Sequence, residues 1–233
     1  MRNIAIILAA GNGLRFGNEL PKQFLKVEEK MILEYSLETF QNHAQIDEII
    51  VVGHKDFVSF LEEKIRRKPY TKLSAIVAGG KERYESSLAV IRHLKDTPEC
   101  NLLFHDAVRP FVSGPVITAV LEALRKYKAV ICAVQATDTI VEINPDHTVG
   151  SIPDRRMVFQ AQTPQAFRSG LLRKAFEIAL QDPEFRVTDD ASVIFRYLPE
   201  EKIRVVPGEK RNFKITYPHD LEIMKQLLRT NHE

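Results

Sequence analysis

Residues Ile4-Ala5-Ile6-Ile7-Leu8-Ala9-Ala10-Gly11-Asn12-Gly13-Leu14-Arg15-Phe16-Gly17 join an unbroken apolar run to a loop of small residues and glycines, and Pro21-Lys22-Gln23 closes the segment. Ile4–Leu8 reads as a first strand buried on both faces. A strand that ends in glycines lets backbone N–H groups approach a phosphate with no side chain in the way. Arg15 and Lys22 add two cations that a tight turn does not need. The combination points to a loop that holds a nucleoside triphosphate and stabilises charge during transfer at phosphorus.

Two familiar glycine motifs are excluded. The dinucleotide fingerprint G-x-G-x-x-G/A requires a small residue where Phe16 stands, and an acid at the end of a second strand about twenty residues on. Here that strand ends near Gly53, much too late. The P-loop requires Gly-Lys-Ser/Thr, whereas Gly17 is followed by Asn18-Glu19.

Outward from this stretch, four more apolar runs recur: Ile46–Val52, Leu73–Val77, Leu102–Phe104 and Ala129–Val134. Helical periodicity separates them, over about Ile32–Phe40, Phe57–Arg67, Tyr84–Leu94 and Val116–Tyr127. Strand and helix in alternation predict an α/β fold with a parallel sheet covered by helices on both faces. Thr137 to about Thr163 breaks the pattern. Asp138-Thr139-Ile140-Val141-Glu142 alternates, Asn144-Pro145-Asp146-His147 turns, and Thr148–Ile152 returns, which predicts a hairpin arm over 138–152. Such an arm buries its apolar side on its own domain or on a second subunit. A helix follows near Gly170–Leu180, then Thr188-Asp189-Asp190-Ala191-Ser192 as a helix start with Thr188 as cap. A strand at Ile203–Val206 and a helix over His219–Arg229 end the chain. No Pro/Gly/Ser-rich linker interrupts it, so residues 1–233 read as one domain carrying an arm.

Composition bounds the function. The 233 residues carry 33 Lys+Arg against 31 Asp+Glu, a net charge of +2, which argues against a dedicated nucleic-acid binder. The two cysteines, Cys100 and Cys132, match no zinc spacing and suit a reducing compartment. No apolar run approaches the ~18 residues of a membrane span. The first strand starts close to Met1 and leaves no room for a signal peptide. A cytoplasmic protein is expected.

Ligands of open parallel sheets sit beyond the carboxyl ends of the strands, so polar residues there are the candidate site. Gly79-Gly80-Lys81-Glu82-Arg83-Tyr84-Glu85-Ser86 follows the third strand and presents backbone groups to a base or phosphate, or forms only a capped turn. His105-Asp106-Ala107-Val108-Arg109-Pro110 follows the fourth, with Asp106 placed for Mg²⁺ or sugar hydroxyls, or paired internally with Arg109. Arg155 with Thr163, and Lys214 in Phe213-Lys214-Ile215-Thr216, bring the loop cations to four alongside Arg15 and Lys22. A triphosphate meeting an acceptor phosphate needs such a concentration of positive charge. No Ser-His-Asp order, metal-binding histidine spacing or paired-carboxylate hydrolase pattern competes. His43, His54, His93, His147, His219 and His232 read as surface residues.

These motifs, in this order, resemble the 2-C-methyl-D-erythritol 4-phosphate cytidylyltransferase family, including its ribitol-5-phosphate cytidylyltransferase branch. The resemblance rests on the opening loop with Pro21-Lys22-Gln23-Phe24, Gly79-Gly80-x-x-Arg83-x-x-Ser86, and His105-Asp106-Ala107-Val108-Arg109-Pro110. It extends through Gln162-Thr163-Pro164-Gln165-Ala166-Phe167, Thr188-Asp189-Asp190-Ala191-Ser192 and Lys214-Ile215-Thr216. It implies a Rossmann-like, mostly parallel sheet of nucleotide-diphospho-sugar transferase type, with a protruding β-arm that makes a homodimer. It implies transfer of CMP from CTP to a polyol phosphate, with pyrophosphate released and Mg²⁺ held largely by the triphosphate. Carried over by position, Arg15 and Lys22 stabilise the transition state. Gly11 and Gly13 line the triphosphate, and Ala9, Ala10, Gly80, Lys81, Arg83 and Ser86 serve the nucleotide. Asp106, Arg109, Arg155, Thr163, Thr188 and Lys214 face the acceptor, Asp106 being also the candidate metal ligand.

Two departures bear on the substrate. Lys81 stands where many erythritol-type members carry an acid, and the arm reads Asp138-Thr139-Ile140-Val141-Glu142 rather than Asp-Thr-Ile-Lys. The arm and the His105–Phe111 segment resemble the ribitol branch; Leu8–Gly11 and Thr188–Ser192 resemble the erythritol branch. Methylerythritol 4-phosphate is the expected acceptor, ribitol 5-phosphate the alternative. A nicotinamide-dependent oxidoreductase is disfavoured by Phe16, and a non-catalytic nucleotide-binding module by the acceptor-side cations.

Overall fold

In the computed structural model the opening apolar run forms β1 (Asn3–Ala9). β1 pairs in parallel with β4 (Glu48–His54) on one side and β6 (Asn101–Asp106) on the other. The structure describes residues 1–11 and 20–230. Gly13, expected to line the triphosphate, and Arg15, expected to stabilise the transition state, lie outside the described residues.

Successive side chains of a strand point to opposite faces, which explains the unbroken apolar run. Ala5 and Ile7 enter a core built with α1 (Ile32–Asn42), α2 (Val58–Ile65) and α4 (Gly114–Ala123). Ile4 and Ile6 enter a second core built with α3 (Arg83–His93), α5 (Ser169–Ala179) and α6 (Asp190–Tyr197). The sheet is therefore covered on both faces. A smaller cluster joins Met224 of α7 (His219–Thr230) to Ile32, Val108, Phe111, Ile215 and Val27, the last from the short ribbon β2 (Lys26–Val27) and β3 (Lys30–Met31).

The seven strands run in the order β11-β7-β10-β6-β1-β4-β5, with β5 at Leu73–Gly79, β7 at Ala129–Gln135, β10 at Phe159–Arg168 and β11 at Ile203–Pro207. All pairings are parallel except those of β10, which lies antiparallel between β6 and β7. This strand was not legible as one, because Gln160, Gln162, Gln165 and Pro164 interrupt its apolar pattern. Its register shifts between Ala161 and Gln165, and the Thr163–Pro164 peptide there is cis.

Two local expectations are corrected. The helix expected to be capped by Thr188 is capped by Asp189, whose Oδ1 accepts the Ser192 N–H at 2.9 Å. Asp189 is held in that role because its Oδ2 also accepts from Gln165 Nε2 at 2.7 Å. The hairpin pairs over fewer residues than its alternation suggests: β8 (Glu142–Ile143) meets β9 (Val149–Ser151), while residues 138–141 form no ladder. Every paired residue of the hairpin is exposed, and an isolated two-stranded ribbon has little to extend it.

Candidate active site

The carboxyl ends of β1, β5 and β6 open into one cleft of about 390 Å³, walled by Ala10, Gly11, Lys22, Gly80, Lys81, Arg83, Ser86, Asp106 and Lys214 among others. The first wall follows β1. Gln23 is buried, and its Nε2 donates to the carbonyl oxygens of Ala9 (2.7 Å) and Gly11 (2.8 Å). It thereby ties the start of the glycine loop to the turn that carries Lys22. Ala9, expected to serve the nucleotide, is buried, contributes this carbonyl and does not line the cleft.

The second wall is the turn between β5 and α3. A side chain at Gly79 would put its Cβ 2.6 Å from Ser86 Oγ and 2.8 Å from Ala10 Cβ. One at Gly80 would put it 2.2 Å from Glu85 Cβ. Glycine is needed at both because backbone and neighbour approach so closely. Glu85 caps the helix from within, its Oε2 accepting the Glu82 N–H at 2.9 Å.

The third wall is an ionic knot. Asp106 ends β6 almost fully buried. Its Oδ1 accepts from Arg83 Nη1 at 2.5 Å; its Oδ2 lies 3.0 Å from Lys214 Nζ and 3.5 Å from Arg109 Nε. Arg83 also reaches the fully buried Asp190, from Nη2 to Oδ2 at 3.0 Å, and Asp190 accepts from Ser87 Oγ as well. Burial alone would raise the Asp106 carboxyl, but Arg83, Lys214 and Arg109 overcome it and hold the group well below the usual carboxylate range. At Asp190 burial prevails and raises the carboxyl despite Arg83. The Asp106–Arg109 pair, the alternative to a ligand-binding Asp106, is present as part of a larger network.

This setting does not fit Asp106 as the ligand of a resident metal ion. Its carboxylate is matched by three cations, and among the described residues no group of three or more His, Cys, Asp or Glu side chains could hold a metal. Mg²⁺ is held through one or two carboxylates with substrate phosphates and waters, and the Asp106 carboxylate is already taken up by Arg83, Arg109 and Lys214.

A second cleft, of about 430 Å³, adjoins the first and shares Lys214 with it; Arg109, Gln135, Thr137, Gln160, Gln162 and Lys210 stand on its wall. Arg109 is fixed by a loop from far along the chain: its Nη1 donates to the Asn212 carbonyl at 2.9 Å. Buried Asn212 in turn donates from Nδ2 to the Thr163 carbonyl at 2.8 Å, and Gln162 Nε2 donates to the Glu209 carbonyl at 2.9 Å. Of the expected acceptor residues, Asp106, Arg109 and Lys214 come together. Thr163 is buried directly behind Asp106, whose N–H donates to its Oγ1 at 3.1 Å. Arg155, in a short 3-10 turn, donates from Nη1 to the Thr137 carbonyl at 3.1 Å, and Thr188 is exposed beside Ser192. Neither lines either cleft. Gln23, His105, Asp190 and Asn212 were not singled out as site residues. For Gln23 and His105 the signal was available in their adjacency to Lys22 and Asp106. For Asn212 no local pattern marks it.

The α/β sheet thus carries a glycine-walled cleft beside a cation-lined second cleft. The family model for 2-C-methyl-D-erythritol 4-phosphate cytidylyltransferase (IspD) matches residues 3–230. The chain belongs to this family of CTP-dependent nucleotidyltransferases. It is 41% identical to the 2-C-methyl-D-erythritol 4-phosphate cytidylyltransferase of Thermobifida fusca, over 98% of this chain and 94% of that one. It is 42% identical to a bifunctional ribulose 5-phosphate reductase/CDP-ribitol pyrophosphorylase of Haemophilus influenzae, again over 98% of this chain but spanning only 48% of that larger protein. Among solved structures, the 4-diphosphocytidyl-2C-methyl-D-erythritol synthase of Anaerococcus prevotii superposes with a TM-score of 0.86 at 35% identity, covering 98% of both chains. The Francisella tularensis 2-C-methyl-D-erythritol 4-phosphate cytidylyltransferase superposes with a TM-score of 0.80 at 28% identity, over 97% of this chain and 99% of that one. Among the described residues no helix is long and apolar enough to cross a membrane.

Proposed function

We propose that this enzyme transfers CMP from CTP to 2-C-methyl-D-erythritol 4-phosphate and releases pyrophosphate. The observation that carries the reading is the position of Lys214, on the wall common to both clefts and 3.0 Å from Asp106. A cation at that junction is placed where an acceptor phosphate must meet the α-phosphorus of the nucleotide. CTP occupies the first cleft against Gly80 and Ser86, with its triphosphate on the glycine loop. The acceptor enters the second, its phosphate drawn to Arg109 and Lys214, with Arg155 and Thr188 at the margin. An acceptor phosphate oxygen attacks the α-phosphorus in line, and the bond to the pyrophosphate oxygen breaks. Lys22, with Arg15, neutralises charge that grows on the phosphoryl oxygens. Mg²⁺ enters as part of the substrate, as the magnesium complex of CTP.

Ribitol 5-phosphate is the second reading for the acceptor, favoured by the similarity to the CDP-ribitol pyrophosphorylase and by the Val141-Glu142 arm. Pyrophosphate release from CTP with each polyol phosphate in turn separates the two. A preference of tenfold or more in kcat/KM for methylerythritol 4-phosphate supports the first reading. The reverse preference replaces it with the second. Failure of both acceptors removes both and leaves a nucleotide-binding module.

The reading includes a single-domain homodimer built through the hairpin. Val141, Ile143, Val149 and Ile152 in and beside the hairpin are exposed, as are Met157 (81%) and Phe159 on the neighbouring segment. Exposed apolar side chains gathered in one segment of this kind support an interaction surface. Light scattering on the purified chain should give twice the 26.7 kDa monomer mass; a monomer at micromolar concentration rejects the dimer. The two buried, free cysteines support a reducing, cytoplasmic setting.

A further inference from the structure

Behind the Asp106–Arg109 turn runs a buried chain of hydrogen bonds whose direction can be worked out. His105 is completely buried, its ring tilted against Phe40 with centroids 5.2 Å apart. Its Nε2 lies 3.1 Å from the Arg109 carbonyl oxygen. A carbonyl can only accept, so Nε2 carries the ring hydrogen. Burial holds the ring neutral, its pKa pushed down to about 4 against the opposing pull of Asp106. Nδ1 then presents a lone pair, and Thr163 Oγ1, 3.0 Å away, must donate to it. The same hydroxyl oxygen accepts the Asp106 N–H at 3.1 Å.

We propose that His105 is a positioning residue which, through its Nε2–H tautomer, turns the Thr163 hydroxyl proton inward and pins both ends of the Asp106–Arg109 turn. At one end it holds the Arg109 carbonyl; at the other it orients the hydroxyl that receives the Asp106 N–H. Asp106 thus reaches the first cleft, and Arg109 the second, with fixed backbones. A hydroxyl has one proton to donate. With that proton on His105, the Thr163 oxygen serves the Asp106 N–H, and the side chain is buried and lines neither cleft. The turn held in this way carries Arg109 to the second cleft, where it would meet the acceptor phosphate beside Lys214. This inference rests on the reading of the second cleft as the acceptor side.

Two measurements test it. The first does not involve turnover: a two-bond ¹H–¹⁵N spectrum of the histidine rings at neutral pH, with His105 identified by the signal missing from His105→Gln or, if that variant does not fold, by through-bond assignment. A neutral Nε2–H ring is expected; a Nδ1–H tautomer or a protonated ring overturns the proposal. The second is a double-mutant cycle on steady-state kinetics with CTP and whichever polyol phosphate the wild type uses. His105→Gln and Thr163→Val should each raise the acceptor KM by about tenfold, the scale of one lost hydrogen bond, with the CTP KM within about twofold of wild type. The double variant should be no worse than the poorer single one, because both remove the same link. Multiplied effects, or an equal rise in the CTP KM, overturn it. If the wild type turns over neither polyol phosphate, the functional reading fails while the ring tautomer still decides the lock.

Discussion

Lys214 Nζ and Asp106 Oδ2 lie 3.0 Å apart, a half-exposed cation resting on a carboxylate that is 6% exposed as a residue. The pair joins the end of β6 to a segment near the end of the chain, at the boundary between two clefts. Lys214→Ala should lower kcat/KM for the acceptor by roughly 10²-fold, because a cation aimed at a developing or transferring charge in a partly enclosed site is worth several kcal/mol. The CTP KM should change little. Initial rates with each substrate varied in turn check this; a larger loss on the CTP side would place Lys214 with the nucleotide instead.

Arg83 holds two buried acids at once, Asp106 at 2.5 Å and Asp190 at 3.0 Å. Burial would lower its pKa, but these two carboxylates outweigh it and raise it. Removing one partner of a buried ion pair leaves uncompensated charge, at a cost of about 3–5 kcal/mol. Arg83→Met should therefore lose stability on that scale in urea titrations, and Arg83→Lys should restore little of it, since an ammonium lacks the planar fork that spans two carboxylates. A Lys variant as stable as wild type would show that the bridge contributes nothing specific.

Lys22 lines the first cleft beside Gly11. Lys22→Ala and Arg15→Ala should each lower kcat by roughly 10²-fold or more with smaller changes in KM, the pattern of groups that act mainly in the transition state. Single-turnover measurements keep product release from hiding the effect. If either variant retains wild-type kcat, that residue has no part in the chemical step.

Cys132 is fully buried, and burial pushes its thiol up to about 12; Cys100 is raised by burial as well. At pH 8 only about 10⁻⁴ of a thiol with that pKa is thiolate, the reactive form. Neither cysteine should react with a disulfide reagent such as Ellman's in the folded protein, and both should react on addition of denaturant. Rapid labelling of one thiol in the native state would show that its element opens without global unfolding.

Much of this architecture can be read from residue order. The unbroken run at Ile4–Leu8 requires burial on both faces, and its alternate residues do enter two separate cores. The antiparallel β10 could not be read this way. Gln162, Thr163 and Gln165 are buried polar residues, tolerated only because Glu209, Asn212, Asp106 and Asp189 satisfy them. Those partners come from other parts of the chain, so a local pattern counts against the strand that the tertiary contacts permit. Thr188 and Asp189 are both good caps in isolation; the contact from Gln165 to Asp189 selects between them.

The sequence by itself determined the class of fold, the family, and the strand ends where the site would form. Those depend on hydrophobic period and on short motifs, which are local properties of the chain. Only the tertiary structure decided that Arg83, Arg109 and Lys214 share one carboxylate, that Arg155 and Thr188 line neither cleft, and that His105 Nδ1 comes within 3.0 Å of the hydroxyl of Thr163. Each of these is a matter of a few ångströms set by strand order and register. Coulomb and hydrogen-bond energies change steeply over that range, whereas spacing along the chain leaves it open.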